Sequence, residues 1–536
     1  MNLIRYWHTL IRLTPRQLFF QLRFRAESGL RRKPERKLPE QKCVQGFPVG
    51  LLPDIPKRPC RRGNRFRFLN VTDEFQDWND VRHGKLWAYH LNYMDWLLQP
   101  DADFGTGWLW IERFIAHFRD GSVGSEAYPL SLRIVNWIRF LSRHADRLTK
   151  RQKEAADASL YGQCRMLSRR IEYRLGGNHL LENGFALLWG GVYFRNGAWS
   201  QKGVRILVRE LRTQILADGG HFEQCPAYHA LMLERILDAV NLLRNNPFTE
   251  TESFLALLPD IASRMLGWLK AVAWTDGTLP PFNDSVPEAF PSLDELTAYA
   301  ERLGIAPKTI LLGASGYRKY ESPFYECLTD IGGFTARHNP GHSHADTLGF
   351  LVRLPSGPFV VETGVSTYEK NARRQYERGT AAHNTVTVGN RDSSEVWGGF
   401  RVGRRARVTV LTDTFWELAA THDGYERLFG AVHERTFRFE ENRITIVDRV
   451  PGKRKNLLPV ARLHLQTEQG VLYADRFVCD KATITWRGAE EAATETVRIA
   501  AGFNRFRKAT RLVLTFRKEL ETVIVFHPTE KNTSQP

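Results

Sequence analysis

Two histidines separated by one residue introduce the segment GHSHADTLGFLVRL, which spans residues 341–354. Side chains two residues apart leave the same face of a β-strand, so the imidazoles of His342 and His344 are predicted to point to one place. The alternating apolar residues that follow them predict a strand that the pair opens. The pair is therefore either part of a functional site or a solvated strand end.

Two other segments of the C-terminal half place an acid and an imidazole at predicted strand ends. Glu362 follows the apolar run in VVETGVSTY, and His383 begins the alternating run in TAAHNTVTVG. Together with His344 they supply two imidazoles and one carboxylate, a donor set that suits Zn²⁺. Because the three residues are scattered along the chain, their spacing alone leaves a hydrogen-bonded cluster without metal as the alternative.

The N-terminal half has its own concentration of polar side chains beside glycines. In GGNHLLENG, Asn178 and His179 stand at the start of a predicted helix, and Glu182 and Asn183 share the helix face of His179. Taken singly, each of these residues is more typical of a cap or a core position than of a site. A second cluster of the same kind makes a functional interpretation stronger.

That second cluster is the segment DGGHFEQCPAYHA, residues 218–230. Pro226 suits the first turn of a helix, because proline lacks the backbone N–H that this position would leave unbonded. The proline places Tyr228 at the start of that helix, beside a glycine-loosened loop that carries His221 and Glu223.

The elements that must position these residues divide the chain into three segments. Residues 1–63 are predicted to form an amphipathic helix and a basic, proline-rich connector, residues 64–315 show helical spacing, and residues 316–536 show alternating runs. The fold class is therefore multidomain α+β. The helical segment is predicted to be a bundle, solenoid or toroid, and the last segment a β-sandwich.

Composition limits the partners that this chain is expected to have. Of its 536 residues, 42% are hydrophobic and 25% are charged, which indicates a globular protein. The apolar runs all fall short of the roughly 18 residues that a membrane-spanning helix needs. The net charge of +17 favours polyanionic partners. Since no nucleic-acid-binding motif accompanies the charge, an acidic polysaccharide is predicted rather than nucleic acid.

The N-terminal segment MNLIRYWHTLIRLTPRQLFFQLRFR combines apolar and basic residues without an uninterrupted apolar core. It is a poor match to a secretory signal peptide. Its pattern is typical of an amphipathic helix, which either docks on the body of the protein or lies on an anionic surface. Docking on the body is the favoured alternative.

Several blocks of the chain, taken in order, resemble the heparinase II/III family of polysaccharide lyases. The β half contributes GHSHADTLGFLVRL, VVETGVSTY and RRQYERGTAAHNTVTVGNRDSSEVWGGFRVGRRA. The helical half contributes YHLNYMDWL, YPLSLRIVNWIRFL, GGNHLLENGFALLWGGVYF, DGGHFEQCPAYHALMLERILDAVNLL and DGTLPPFNDS. The resemblance implies an incomplete (α/α) toroid followed by an antiparallel β-sandwich, with a cleft where the two meet.

The resemblance also implies a chemistry and assigns residues to it. The family cleaves uronic-acid-containing polysaccharides by β-elimination. Asn178 corresponds to the group that neutralises the uronate carboxylate, and Tyr228 corresponds to the catalytic tyrosine. His179 and His342 correspond to catalytic histidines. Glu182 falls on a substrate-site acid that some members carry.

A metal site is implied by the same resemblance. His344, Glu362 and His383 fall on the positions of a structural Zn²⁺ site that supports the cleft. Family members that carry the metal usually have Asp at the position of Glu362. A carboxylate remains, but its longer side chain changes the reach of the ligand.

Arginine and aromatic side chains are further candidates for contacts with a sugar polymer. Arg133, Arg374 and Arg378 are expected to bind carboxylates or sulfates, since arginine pairs bidentately with such groups. Aromatic rings can stack on pyranose rings, although most tryptophans on helices are core residues. The aromatic candidates are Tyr89 and Trp137, together with Trp87, Tyr93 and Trp189.

Two other functions remain open at this stage. An inverting glycosidase on an (α/α) toroid would use two separated carboxylates, for which Glu182 and Glu223 are available. A non-catalytic glycan-binding factor in polysaccharide assembly would leave the Asn, His and Tyr set without a task. The expected substrate of a lyase is an acidic polysaccharide, with the exopolysaccharide or O-antigen of the organism itself as the favoured candidates.

Localisation and assembly follow only in part. The six cysteines are widely scattered and show no paired spacing, which favours a reducing compartment. With the poor signal-peptide character, this favours a bacterial cytoplasm over the periplasm. The sequence makes no prediction about the oligomeric state.

Overall fold

The structure is a computed structural model that describes residues 2–30, 44–452, 457–467 and 469–528. Most of the predicted basic connector, residues 31–43, lies outside the described residues. The α-helices are α1 Asn2–Leu10, α2 Pro15–Leu30, α3 Lys85–Tyr93, α4 Phe104–His117, α5 Ala127–Arg143, α6 Lys150–Arg169, α7 Gly177–Tyr193, α8 Gly197–Gln214, α9 Pro226–Asn245, α10 Glu252–Leu255, α11 Leu258–Val272, α12 Leu293–Arg302, α13 Ala372–Glu377 and α14 Glu426–Phe429.

The strands lie almost entirely in the second half of the chain. They are β1 Arg61–Arg62, β2 Arg65–Phe68, β3 Val71–Glu74, β4 Tyr317–Glu321, β5 Glu326–Asp330, β6 Gly349–Leu354, β7 Gly357–Val360, β8 Val386–Val388, β9 Val396–Trp397, β10 Arg401–Val402, β11 Val408–Asp413, β12 Glu417–His422, β13 His433–Glu440, β14 Arg443–Arg449, β15 Pro459–Leu465, β16 Gly470–Leu472, β17 Arg476–Cys479, β18 Ala482–Ala500 and β19 Phe506–Phe526. The predicted order of a helical part followed by a β part is confirmed.

The helical part is built from a row of helices in which every second one is a neighbour. α3 packs on α5, α5 on α7, α7 on α9 and α9 on α11, while α6 and α8 pack against this row. α7 lies in the middle of the row, and its apolar residues are buried throughout. This alternation between a central row and covering helices is the arrangement expected of an (α/α) toroid.

The β part is one large antiparallel sheet of 14 strands that curls over itself. The long strand β19 causes the curl: one edge pairs with β18, and the other pairs first with β15 and then with β14. Two layers result, one running from β15 to β4 and one from β14 to β11. The layers meet face to face, since the rings of Tyr320 and Phe439 stack with centroids 3.5 Å apart.

The layer that runs from β15 to β4 also forms the contact between the helical part and the β part of the molecule. Along β5 and β6 the side chains alternate in direction, as strand geometry requires. Cys327 and Phe350 belong to the core of the sandwich, whereas their neighbours Leu328 and Leu351 belong to the core of the helical part. One sheet layer is thus buried on both faces, and it holds the two domains together.

The N-terminal segment forms two helices where a single amphipathic helix is predicted from the sequence. α1 ends at Leu10, and Pro15 begins α2 after a turn. Thr14 and Gln17 bond reciprocally across the new helix start, with Gln17 N donating to Thr14 Oγ1 at 3.1 Å and Thr14 N to Gln17 Oε1 at 3.0 Å. This capping box explains the break. Among the described helices, none has the length and apolar content needed to cross a bilayer.

Candidate active site

The first turn of α7 presents two of the predicted site residues. Gly176 precedes the helix and Gly177 begins it, and both have positive φ angles, of 69° and 57°. Asn178 is buried, and its Oδ1 has no hydrogen-bond partner within the described residues. His179 differs from every other residue of this fully described helix, because it alone is not buried. His179 is therefore the residue of α7 that a substrate can reach.

Two neighbours orient the ring of His179. Its Nδ1 lies 3.1 Å from Glu172 Oε2, and its ring centroid lies 4.3 Å from that of Tyr128. A proton on Nδ1, donated to the carboxylate, leaves Nε2 with a lone pair. The arrangement is that of a histidine prepared to accept a proton.

Tyr228 lies near the start of α9, as Pro226 predicts from the sequence. Its ring stacks on that of His342 with centroids 3.9 Å apart, and its hydroxyl shares a 3.1 Å hydrogen bond with that of Tyr368. Burial raises the pKa of Tyr228 well above its ordinary value, and Tyr368 and Tyr128 raise it further. The phenol is therefore protonated at neutral pH and can donate a proton.

One buried carboxylate holds both histidines of the GHSHAD segment. Asp284 Oδ2 accepts a hydrogen bond from His342 Nδ1 at 2.8 Å, and Asp284 Oδ1 accepts one from His344 Nε2 at 2.8 Å. The histidines do not open a strand, which corrects the sequence prediction: they lie in a loop, and β6 begins only at Gly349. They point to one place because they share one acceptor.

Arg374 completes the surroundings of Asp284. It donates from Nη1 and Nη2 to the two carboxylate oxygens at 2.5 and 2.7 Å, and both side chains are fully buried. Although burial opposes ionisation, Arg374 and the two histidines hold the pKa of Asp284 well below its ordinary value. The prediction that Arg374 binds uronate groups is therefore wrong in this structure, because a protein carboxylate already occupies its guanidinium.

Two more of the predicted sugar-binding arginines are also directed into the interior. Arg378 donates to the carbonyls of Pro340 and Ser343 at 3.3 and 2.8 Å. Arg133 is fully buried and donates to the side chain of Gln163 and to backbone carbonyls. Burial lowers the pKa of each guanidinium to about 9. Both side chains stabilise loops around the cleft, and neither is exposed to a sugar.

The aromatic candidates separate into core residues and cleft neighbours. Trp137 is fully buried, and its indole N–H points to Met94 Sδ at 3.2 Å, so it is a core residue. Tyr89 is half-buried and stands beside Tyr93, whose ring lies 6.0 Å from that of Tyr128. Tyr89 therefore extends the row of tyrosines that leads away from His179. The remaining candidates, Trp87 and Trp189, are buried in the helical core.

Glu182 and Glu223 are both buried carboxyl groups, in different settings. Glu182 Oε1 accepts a hydrogen bond from Arg235 Nε at 2.9 Å, behind Tyr128. Glu223 lies between the two halves of the site: burial raises its pKa, while His342 and His179 lower it. Neither carboxyl presents an open face to the cleft, as a glycosidase would require.

The three predicted metal ligands lie deeper, behind His342. His383 Nδ1 donates to Glu362 Oε2 at 2.6 Å, and the ring centroids of His344 and His383 are 5.3 Å apart. Burial lowers the pKa of His344 to about 3, whereas Glu362 outweighs burial and raises that of His383 to about 9. In the described residues no three such side chains converge closely enough to enclose an ion.

Unpaired atoms nevertheless concentrate at this cluster. His344 Nδ1, His383 Nε2, Glu362 Oε1 and Asp346 Oδ2 are all buried and have no hydrogen-bond partner within the described residues. Buried polar atoms are normally bonded, so each such atom calls for an explanation. Two imidazole nitrogens and two carboxylate oxygens are the donors that Zn²⁺ takes, and the residue types fit the ion.

The structure adds four residues that sequence reasoning did not select. Asp284 lies in the block DGTLPPFNDS, and Tyr368 ends VVETGVSTY, so both belong to segments that carry the resemblance. Tyr128 lies in the first turn of α5, and Glu172 lies in the loop between α6 and α7. Only the first two could have been found from the sequence, as polar residues beside already suspected groups.

Comparisons with known proteins agree with this architecture. Residues 145–304 match the family model described as heparinase II/III N-terminus, and residues 306–529 match heparinase II/III-like, C-terminal. A heparin-sulfate lyase from Bacteroides stercoris is 24% identical over 334 residues, 57% of this chain and 48% of that protein. One from Pedobacter heparinus is 25% identical over 253 residues, 41% of this chain and 37% of that protein.

Solved structures show the same fold at low identity. A heparinase III structure has a TM-score of 0.60 at 15% identity and covers 86% of this chain and 82% of its own. A heparan sulfate lyase from Pedobacter heparinus has a TM-score of 0.57 at 17% identity, covering 87% and 82%. The chain spans about half the length, 48%, of the first curated relative that it matches. With both family models matched in order over a toroid and a β-sandwich, the chain belongs to the heparinase II/III family.

Proposed function

We propose that this protein is a polysaccharide lyase that cleaves a uronic-acid-containing acidic polysaccharide by β-elimination. The observation that carries the proposal is the contact between Tyr228 of the helical part and His342 of the β part, whose ring centroids lie 3.9 Å apart. The ring of Tyr128 lies 4.3 Å from that of His179, and Tyr128 also raises the pKa of Tyr228, while His342 and His179 both lower the pKa of Glu223. The relatives named as heparin-sulfate lyases support the same reaction class.

The reaction requires a base, an acid and a neutraliser of charge. A base removes the C5 proton of the uronate, the electron pair forms the C4–C5 double bond, and the C4–O4 bond breaks as O4 takes a proton. Negative charge builds on the carboxylate during the first step. The Nδ2 amide of the buried Asn178 can donate to that carboxylate, and a preorganised donor of this kind typically contributes about 3 kcal/mol to such stabilisation.

The geometry distributes the proton transfers between two residues. His179, oriented by Glu172, is proposed as the base, because its Nε2 is left free and its side chain is 33% exposed. Tyr228 is proposed as the acid that protonates O4, since its raised pKa keeps the phenol protonated. His342 stacks on Tyr228 and is held by Asp284, so it positions the phenol and can bond to the substrate carboxylate.

A screen of acidic polysaccharides, read by ultraviolet absorbance of the C4–C5 unsaturated product, tests the proposal. The panel should contain heparan-like, alginate-like and exopolysaccharide or O-antigen polymers. Tyr228→Phe should reduce turnover by about 100-fold or more while polymer binding persists. Tyr325→Phe is the matched control, because this buried tyrosine bonds only backbone carbonyls in the sandwich. Its turnover should equal that of the wild type.

Other outcomes would contradict the proposal. New reducing ends without absorbance would identify a hydrolase, and polymer binding without any product would identify a glycan-binding factor. More than about a tenth of wild-type turnover in Tyr228→Phe would be too much for the loss of a general acid, which normally contributes at least 10²-fold.

We also propose that His344, Glu362 and His383 bind one structural Zn²⁺. The support is the cluster of four unpaired buried atoms, among which Asp346 Oδ2 is available as a further donor. The ion would hold together the loop before β6, the end of β7 and the turn before β8, and so fix the loop that carries His342. It would have no part in the proton transfers.

Elemental analysis of protein purified without added metal, chelator or a metal-affinity tag tests the zinc proposal. About one zinc per chain is expected. His383→Ala should release the metal and lower the melting temperature, whereas His342→Ala should leave both nearly unchanged. If zinc is far below one atom per chain and the melting temperature is unchanged after chelation, the zinc proposal is wrong. The residues then form only a hydrogen-bonded cluster without metal.

A further inference from the structure

The two N-terminal helices expose an unusual amount of apolar surface. On α1 and the turn after it, Leu3 is 85% exposed, Trp7 64% and Ile11 54%. On α2, Phe19 is 60% exposed and Leu22 58%. Residues spaced by three and four share one helix face, so each helix carries an apolar stripe directed away from the protein. A contiguous exposed apolar surface of this kind marks an interaction site.

The opposite faces of the same helices are attached to both domains. His8 Nδ1 lies 2.8 Å from Glu395 Oε2, and Trp397 Nε1 donates to Thr9 Oγ1 at 3.3 Å, both in the β part. Gln17 Nε2 donates to the carbonyl of Leu175 at 3.3 Å, in the helical part. Polar side chains thus anchor the helices, and the anchoring leaves the apolar stripes facing solvent.

Charge indicates what covers the stripes. The first 26 residues contain five arginines and no Asp or Glu, and the sequence just after α2 continues with Arg31, Arg32, Lys33, Arg36 and Lys37. A second copy of the chain would bring two such basic surfaces together. An anionic surface, in contrast, is attracted by the arginines while it accepts the apolar side chains.

We propose that α1 and α2 dock this protein on the surface of an anionic lipid bilayer. The helices lie in the plane of the interface, with Trp7, Ile11, Phe19 and Leu22 entering the boundary of the acyl chains. The arginines contact the phosphates of the headgroups. Gln17 of α2 bonds to the carbonyl of Leu175, which lies three residues before Asn178. The docked helices therefore hold the Asn178 side of the site close to the membrane. The proposal does not depend on lyase activity.

Vesicle co-sedimentation of the full chain tests the docking. The protein should sediment with vesicles of phosphatidylcholine and phosphatidylglycerol at low salt and remain in solution with phosphatidylcholine alone. Several hundred millimolar salt should weaken the association, because surface charges are then screened within about 5 Å. Replacing two apolar anchors together, Trp7→Ser with Ile11→Ser, should lower the partition coefficient at least about tenfold.

The matched control is Trp416→Ser. Trp416 is 68% exposed in the turn between β11 and β12, remote in sequence from the N-terminal helices, and its replacement should leave the partition coefficient unchanged. Circular dichroism melting confirms that both variants are folded. No sedimentation with the anionic vesicles, or equal sedimentation of the double variant, would overturn the proposal. If the wild type were a dimer and the double variant a monomer, the proposal would also be overturned, because the apolar stripes would then bind a second copy of the chain.

Discussion

Asp284 shows how much of this site depends on a single side chain. Its two oxygens receive hydrogen bonds from His342 and His344 and a bidentate pair from Arg374. One oxygen therefore orients a histidine toward Tyr228, and the other orients a histidine toward the predicted metal cluster. The two histidines have different proposed tasks, yet one carboxylate decides the direction of both rings.

Replacing this carboxylate should affect activity and stability together. Asp284→Asn leaves the buried guanidinium of Arg374 without its counter-charge, which typically costs about 3–5 kcal/mol. It also removes the acceptor that orients His342, so turnover should fall by about 100-fold or more at temperatures where the protein is folded. Urea unfolding and the absorbance assay on the same preparation measure the two effects.

Asp448→Asn is the matched control for that variant. Asp448 is equally buried, accepts a hydrogen bond from His433 Nε2 at 2.7 Å and pairs with Arg435 through both oxygens, but it bonds none of the proposed catalytic residues. Its loss should destabilise the protein by a similar amount and leave the turnover of the folded protein unchanged. Equal losses of turnover in the two variants would show that Asp284 has no special relation to the site.

At the scale of elements, the junction before α7 determines where Asn178 and His179 stand. Gly177 begins the helix in the left-handed region, with φ 57°. A Cβ built on Gly177 would lie 2.5 Å from Asn339 Nδ2 and 2.8 Å from Glu223 Oε1. The helix start is therefore packed against the loop before His342 and against the loop before α9, which brings three segments of the site together.

Gly177→Ala should disturb this junction. The left-handed backbone costs an alanine about 1–2 kcal/mol, and the added methyl group must displace Glu223 or Asn339. A shift of the helix start moves Asn178, so we expect turnover to fall by about tenfold or more. Steady-state kinetics and thermal unfolding are the measurements.

Gly304→Ala is the control that separates the cost of the left-handed backbone from the displacement of neighbouring side chains. Gly304 has a similar φ of 63°, and a Cβ there would meet no atom within 4 Å. This control should lose about 1–2 kcal/mol of stability and keep full turnover. If Gly177→Ala were as active as Gly304→Ala, the close packing at the start of α7 would have no bearing on the site.

At the scale of the whole molecule, the site residues meet because the two domains share one sheet layer. Leu328 and Leu351 enter the helical core while Cys327 and Phe350 enter the sandwich core. The N-terminal helices make a second connection, bonded to Glu395 on one side and to the carbonyl of Leu175 on the other. Both connections fix the relative position of Tyr228 and His342.

The free energy of unfolding of the whole molecule should fall at acid pH, because Asp448 becomes protonated there. Arg435 and His433 outweigh burial and lower its pKa to about 2, against about 3.9 for an unfolded chain. A depressed carboxyl pKa stabilises the fold above the unfolded value, and this contribution disappears as the pH falls through the folded value. It amounts to about 2–3 kcal/mol at neutral pH.

Urea unfolding of wild type and Asp448→Asn between pH 7 and acid pH checks this. The difference in unfolding free energy between the two proteins should be constant above about pH 4 and shrink between about pH 4 and pH 2. A difference that does not change over this range would show that Asp448 has an ordinary pKa in the folded protein.

Local patterns in the sequence were sufficient to predict that a helical part precedes a β part. Alternating and helical spacing predicted a helical part before a β part, and Pro226 and the glycines before Asn178 predicted the starts of α9 and α7. Periodicity and turn residues act over a few positions, so a single sequence contains this information. The sequence singled out the clusters that contain Asn178, His179, Tyr228 and His342, and the family resemblance assigned these four residues as a set.

Tertiary structure decided which charged side chains are free to meet a substrate. Arg133, Arg374 and Arg378 resemble surface arginines in sequence, yet each is buried against acceptors far along the chain, such as Asp284 for Arg374. The outward direction of the apolar faces of α1 and α2 was likewise decided by contacts with both domains. Hydrogen bonds between distant residues leave no local periodicity, and burial of a charge depends on the partner that folding brings to it.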